Sequence, residues 1–455
     1  MMEVAVVNPW SGELVRRYAY MDDAEVDRRL AGSAAGFATW SRYPLAERAE
    51  ALRALGRVLR QRRQALAAMM TAEMGKRVVE GLGEVDKCAG LCDYYAEHAG
   101  SMLAPKPLHT DGRWSELRYE PIGCVFAVMP WNFPIWQVFR FLAPTLMLGN
   151  VAVLKHAINV PGCADAIADA VTAAGLPTGV FTALHIDNAM AARVIADPRV
   201  HGVTLTGSER AGRAVAAEAG RHLKKCVMEL GGSDPFIVLS DADIDTAVAT
   251  ALTARYDNAG QTCIAAKRFI LEAPIAEAFT ERFLAGVAAM VVGDPADPAC
   301  TLAPMARPDL RDGLHAQVQA SVARGARLLA GGIAPAHPCS YPATVLDRVP
   351  AGSAAYCEEL FGPVASLFTA ADAAAAIALA NDTRFGLGAS LWTADLTRAA
   401  ALADRIEAGS VFINARVRSD YAMPFGGSKQ SGHGRELGEP GLHEFANLKS
   451  VYVAR

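Results

Sequence analysis

The chain has 455 residues, 52% hydrophobic and 20% charged, with a formal net charge of −4 at pH 7. That length fits two or three domains of roughly 150 residues each, and the hydrophobic share supplies sizeable cores, which excludes a disordered chain. The faintly acidic balance gives no basis for nucleic-acid binding, and nine cysteines without paired spacing argue for a reducing compartment, against a disulfide framework and against a structural metal.

The first twenty residues carry charges and lack an apolar signal core. Residues 21–99 read as mostly helical, with Asp22, Asp23 and Pro44 as start signals. Residues 113–120 alternate as a half-exposed strand does. The longest apolar run, 141–154, is broken by Asn150 and falls short of the ~18 residues of a membrane span. A soluble, cytoplasmic protein without a membrane partner is therefore expected.

From there strand and helix signals alternate. Strands are expected at 124–129, 151–154, 180–184 and 203–206, and helices at 136–148, 161–174, 190–196 and 210–219. This alternation predicts a parallel sheet with crossover helices, with a nucleotide outside the C-terminal strand ends. A second series starts after Gly231, with strands at 236–239 and 267–271, a helix over 243–258 and an Ala-rich surface helix over 370–380. A domain boundary near 229–232 places Glu229 and Cys263 on one cleft.

Three short stretches carry candidate chemistry. Cys263 sits in Asn258-Ala259-Gly260-Gln261-Thr262-Cys263-Ile264, between a helix and a strand. A thiolate so presented is a strong nucleophile, although a lone cysteine is more often an inert core residue. Glu229 ends a strand before Gly231-Gly232, where it could serve as a base or merely as a turn residue. Asn132 lies between Pro130 and Pro134, a fixed amide donor suited to an oxyanion. Gly207, Ser208 and Gly212 link a strand to a helix, an arrangement that suits a diphosphate or a simple turn.

Together with Glu359-Leu360-Phe361-Gly362-Pro363 and Pro424-Phe425-Gly426-Gly427-Ser428-Lys429, these stretches resemble the aldehyde dehydrogenase superfamily, in its order and over nearly the whole chain. The resemblance implies an α/β fold with two Rossmann-type parallel domains and a small β oligomerisation arm. Residues 1–110 and 123–230 would bind the nicotinamide cofactor, 231–424 would carry the nucleophile, and 111–122 and 425–455 would form the arm and C-terminal tail, the arm joining a homodimer or homotetramer. Cys263 would attack an aldehyde, Asn132 and the Cys263 N–H would hold the oxyanion, and Glu229 would activate the water that hydrolyses the thioester. Pro130, Trp131, Lys155, Gly207, Ser208, Gly212, Leu230, Glu359 and Phe361 would hold NAD or NADP, with Lys155 on the adenosine ribose and Glu359 and Phe361 at the nicotinamide end. Some relatives carry Glu three residues after that lysine; Ile158 stands here and leaves the choice of cofactor open.

Within the superfamily the chain looks most like bacterial succinate-semialdehyde dehydrogenases. That likeness implies a carboxylate-bearing substrate, with Arg140, Arg418 and Ser419 as its ligands. Two departures stand out. Asp257 occupies a place where some relatives carry arginine, and Ala265 replaces a cysteine that permits a disulfide switch. Three alternatives stay open at this point: another aliphatic aldehyde or an amino-aldehyde as substrate, Asp257 being the cation partner of the latter; a cysteine hydrolase; and a non-catalytic binding protein.

Overall fold

The computed structural model describes residues 3–455. Two mostly parallel sheets dominate it. The first has six strands in the order Gly432–His433, Lys225–Glu229, Val200–Thr206, Cys124–Met129, Val151–His156 and Phe181–Ala183. Its interior strand Cys124–Met129 has parallel neighbours on both sides. Sheets covered on both faces select continuous apolar runs, which is why this strand begins and ends where its sequence indicates. Four helices, Asp23–Trp40, Leu45–Gln61, Arg63–Met74 and Val78–Met102, precede it, and Asp22 caps the first by accepting from the Glu25 N–H at 2.8 Å.

The second sheet has seven strands: Arg327–Ala330, Thr344–Asp347, Val364–Ala370, Ala266–Glu272, Asp234–Val238, Gly388–Trp392 and Ser410–Ile413. Only Arg327–Ala330 runs antiparallel to its neighbour. A third, antiparallel sheet joins Ala446–Val453, Trp114–Pro121 and Lys106–Pro107. Asn150 anchors its base: the side-chain oxygen accepts from the N–H groups of Ile122 and Gly123, and the amide donates to Phe445 O.

The structure adds to the sequence reading in several places. Glu3–Val7 and Leu14–Ala19 form an antiparallel hairpin that the sequence did not signal. The Ala-rich helix, Ala373–Asn381, is not simply a surface element, because Ala373, Ala376, Ile377 and Ala380 are buried. The chain beyond 425 enters the body before reaching the three-stranded sheet: Ser428–Lys429 pairs with Phe385–Gly386, and Gly432–His433 with the Glu229 end of the first sheet. Among the described residues no helix is long and apolar enough to cross a membrane.

Candidate active site

Cys263 is held by a strained turn. The helix Ile244–Tyr256 is capped by Asp243 and stops at Tyr256, because the next turn, Asp257–Gly260, leaves helical space. Asn258, Ala259 and Gly260 have φ of 54°, 53° and 70°. For non-glycine residues this conformation costs about 1–3 kcal/mol each and persists only where the surroundings over-determine it. A Cβ on Gly260 would stand 2.4 Å from the carbonyl oxygen of Gly362, so the close approach itself requires glycine.

Fully buried Arg255 supplies much of the restraint. Its guanidinium donates to the carbonyls of Gly260 (2.7 Å), Gly362 (2.9 Å) and Ala266 (3.1 Å). The Asn258 amide donates to Asn132 O at 2.9 Å, and the Asn132 amide donates to Gln261 O at 2.9 Å. An amide nitrogen carries two N–H groups, so Asn132 can keep one for a ligand while the other ties it to the loop two residues before the thiol. Gln261 accepts from Ala306 N–H at 2.9 Å. Lys267, buried at the start of the next strand, donates to the carbonyls of Thr262 and Cys263 and pairs with Glu359 at 3.1 Å.

The thiol opens onto a cavity of ≈ 280 Å³ that Phe133, Trp136, Arg140, Arg418, Ser419 and Phe425 also line. Burial pushes the Cys263 thiol up to about 12; Arg140 and Lys267 act against this, while Glu359 and Glu229 reinforce it. A thiol so placed is protonated at neutral pH and needs a base.

Glu229 ends its strand 2% exposed, and neither carboxyl oxygen has a hydrogen-bond partner. Burial, then the charge of Glu436, raises it well above the usual carboxylate range, against Arg140 and Arg435. Glu436 is buried too and pairs with Arg140 Nε at 2.5 Å. Two buried acids thus share one close guanidinium. Glu436 takes the close Arg140 contact, and Glu229 is left without a cation of its own. A carboxyl tuned upward in this way suits proton abstraction near neutral pH.

The expected cofactor residues have the following surroundings. Trp131, just after Pro130, meets Phe361 edge to face at 5.8 Å, and Lys267 stands 6.0 Å from the Phe361 ring centre. Glu359 accepts from Gly232 N–H at 3.0 Å. Gly207 N–H donates to Glu229 O, and Ser208 caps the helix Glu209–Arg221 by accepting from Ala211 N–H. Gly212 lies against Leu230, whose Cδ2 would be 2.5 Å from an added Cβ. Lys155 lies inside the strand Val151–His156, 5% exposed, and its ammonium reaches only the His156 carbonyl at 3.5 Å. That orphaned buried cation fits a ligand with hydroxyl acceptors.

Arg140 lines the cavity, but its Nε is committed to Glu436 and the guanidinium lies 4.4 Å from the Phe425 ring centre. Asp257 also lines the cavity and is paired with Arg416. Sequence reasoning missed Lys87, Arg255, Lys267, His156 and Glu436. A charged residue opening an otherwise apolar strand was the available signal for Lys267; the others had none.

A model of the aldehyde dehydrogenase family matches residues 2–451. The succinate semialdehyde dehydrogenase (NAD(P)+) Sad of Escherichia coli (strain K12) is 49% identical over 99% of this chain and 97% of its own length. A probable succinate-semialdehyde dehydrogenase (NADP(+)) of Synechocystis sp. (strain ATCC 27184 / PCC 6803 / Kazusa) is 47% identical over the full length of both. The crystal structure of succinic semialdehyde dehydrogenase from Streptococcus pyogenes in complex with NADP+ superposes with a TM-score of 0.97 at 37% identity, covering 99% of this chain and 100% of that one. With a family match over nearly the whole sequence and this degree of identity at full coverage, the chain belongs to the aldehyde dehydrogenase family.

Proposed function

We propose that the protein oxidises an aldehyde to a carboxylic acid with NAD or NADP, and that its substrate is succinate semialdehyde. One observation carries the chemistry: a buried, donor-free carboxyl at Glu229 whose charge acts on the Cys263 thiol, with the Asn132 amide tied to the thiol's own loop.

In this reading Glu229 or a water takes the thiol proton and Cys263 attacks the carbonyl carbon. The free N–H of Asn132 and the Cys263 N–H hold the oxyanion, and loss of one such donor typically costs ~10²–10³ in turnover. The nicotinamide, when bound, supplies the hydride acceptor that turns the adduct into a thioester. Glu229, once its carboxylate is free of the first proton, which passes to solvent, takes a proton from water. The water oxygen adds to the thioester carbon, the C–S bond breaks, and the acid leaves as the Cys263 thiolate takes that proton back through Glu229.

The residues present fit a dinucleotide. Lys155 offers an unpaired ammonium to ribose hydroxyls, and the Gly207–Ser208 turn opens a helix whose N-terminus favours a diphosphate. Glu359 and Phe361 flank the nicotinamide end. Ile158 is 44% exposed and brings no carboxylate against a 2′-phosphate, which supports acceptance of NADP as well as NAD. A cysteine hydrolase would leave the Lys155 ammonium without a ligand.

The substrate reading draws on the relatives' names and on the cavity's cations. The pairing of Asp257 with Arg416 takes away the free anion that an amino-aldehyde would need. In the same reading residues 1–110 and 123–230 hold the cofactor, 231–424 present the thiol, and the three-stranded sheet joins subunits of a homo-oligomer. Its edge strand Ala446–Val453 is eight residues long and leaves Leu448 and Tyr452 exposed, and an unpaired edge of this length offers backbone groups to a second chain.

The test is a panel of aldehydes assayed with both nicotinamides, using wild type and Cys263→Ala. Wild type should prefer succinate semialdehyde, and the variant should bind cofactor without turnover. Turnover by the variant would remove the covalent step, and a flat wild-type profile would remove the substrate assignment.

A further inference from the structure

The cavity beside Cys263 is lined by three acids, Glu80, Glu84 and Asp257, and four cationic side chains, Lys87, Arg140, Arg416 and Arg418. Most of these charges are already matched. Glu80 pairs with Arg77 at 2.8 Å and accepts from Asn258 N–H. Glu84 pairs with buried Lys76 and accepts from the N–H groups of Ile135 and Trp136 at 2.9 Å each. Asp257 takes Arg416, and Arg140 takes Glu436. Among the described residues, Lys87 and Arg418 are the cavity cations left without an ion pair.

These two differ in setting. Arg418 is exposed to solvent. Lys87 projects from the helix Val78–Met102 into the cavity wall, with its ammonium 4.3 Å from the Trp136 ring centre. It donates to Ser419 Oγ at 2.7 Å. An ammonium has three N–H donors, and this one uses a single donor on protein. Burial, helped by the nearby Arg140, lowers Lys87 to about 8, the mark of a cation short of counter-charge. A desolvated cation without a partner is costly, and a ligand carboxylate removes that cost.

We propose that Lys87 is the specificity-determining residue for a carboxylate at the far end of the substrate, its ammonium aimed by the Trp136 ring and Ser419 Oγ. The proposal deepens the aldehyde-oxidising reading and rests on it. It moves the main counter-charge from Arg140, already engaged by Glu436, to a lysine on the opposite chain segment. Ser419 then acts as the second ligand and as the group that fixes the ammonium.

The experiment uses full-length wild type, Lys87→Met and Lys87→Arg, with succinate semialdehyde and pentanal as charged and uncharged probes and succinate as a competitive inhibitor. In Lys87→Met the ratio of kcat/KM for succinate semialdehyde to that for pentanal should fall about 10- to 100-fold, carried by KM. Inhibition by succinate should weaken by a similar factor, and Lys87→Arg should restore much of both. Pentanal turnover reports that the variant is folded; should the methionine variant be insoluble, Lys87→Gln carries the same comparison. A wild-type ratio retained in the variant overturns the role of Lys87 and leaves the substrate reading standing. A wild type with no preference for the charged aldehyde overturns both.

Discussion

The ammonium of Lys267 donates to the carbonyl oxygen of Cys263 at 2.7 Å. The same nitrogen reaches Thr262 O at 3.0 Å and Glu359 at 3.1 Å, so one buried cation ties the nucleophile's loop to the segment that carries Phe361. Removing one partner of a buried pair typically costs about 3–5 kcal/mol, because the other is left uncompensated. Lys267→Met should therefore lower the melting temperature by several degrees and reduce kcat more than tenfold. Thermal unfolding and steady-state kinetics check this together, and a variant with wild-type values for both would show that the loop is held without Lys267.

Glu229 and Gly426 give a paired prediction. Glu229→Gln should release a burst of reduced nicotinamide and then stall as the thioester. A Cβ on Gly426 would lie 2.7 Å from Glu229 Oε1, so Gly426→Ala should displace the carboxyl and slow the same step, on the order of 10²-fold. Rapid-mixing kinetics with intact-mass detection of the acyl enzyme reads both variants. Steady-state rates equal to wild type in Glu229→Gln would refute the base assignment.

His156 predicts a pH-dependent stability. Its Nδ1 accepts from Ala157 N–H at 2.9 Å, so the proton resides on Nε2, which donates to Pro134 O at 2.8 Å, two residues from Asn132. Burial pushes the imidazole down from 6.5 to about 4. The unfolded chain therefore binds more protons between these values. The contribution is fully present above pH ~6.5 and is lost as the pH falls through ~4, at most roughly 3 kcal/mol. Urea unfolding across this window should show a slope that His156→Gln diminishes; identical slopes would assign it elsewhere.

Arg140 stands beside the Glu229–Glu436 pair as well as in the cavity wall. Arg140→Met leaves buried Glu436 without its cation, and a broken buried pair of this kind costs several kcal/mol. Turnover of succinate semialdehyde and of pentanal should both drop, at least about tenfold, in contrast to the substrate-selective loss expected of Lys87→Met. Comparison of kcat/KM on the two aldehydes decides the matter: a loss confined to the charged aldehyde would make Arg140 a pure carboxylate clamp.

Where the sequence served well, the physics was local. The strand Cys124–Met129 and the helix Trp136–Leu148 begin and end at the expected residues, since the strand is an apolar run buried at all but Val128 and the helix is buried throughout and mostly apolar. The helix before Cys263 was expected to reach 258 but ends at Tyr256. Nothing in an alanine at 259 announces a left-handed backbone; three carbonyl contacts from Arg255 impose it. The hairpin near the N-terminus escaped because its strands are largely exposed and lack a clear alternating pattern.

The sequence alone determined which groups are available: a thiol at 263, a carboxyl at 229, an amide at 132 and the glycines that let chain segments approach them. Tertiary structure decided which charges are left over. Arg140 met Glu436, Asp257 met Arg416, and Lys87 met a hydroxyl 332 residues away instead of an acid. Ion pairing falls steeply with distance and depends on burial, and both are properties of the folded chain, invisible in residue order.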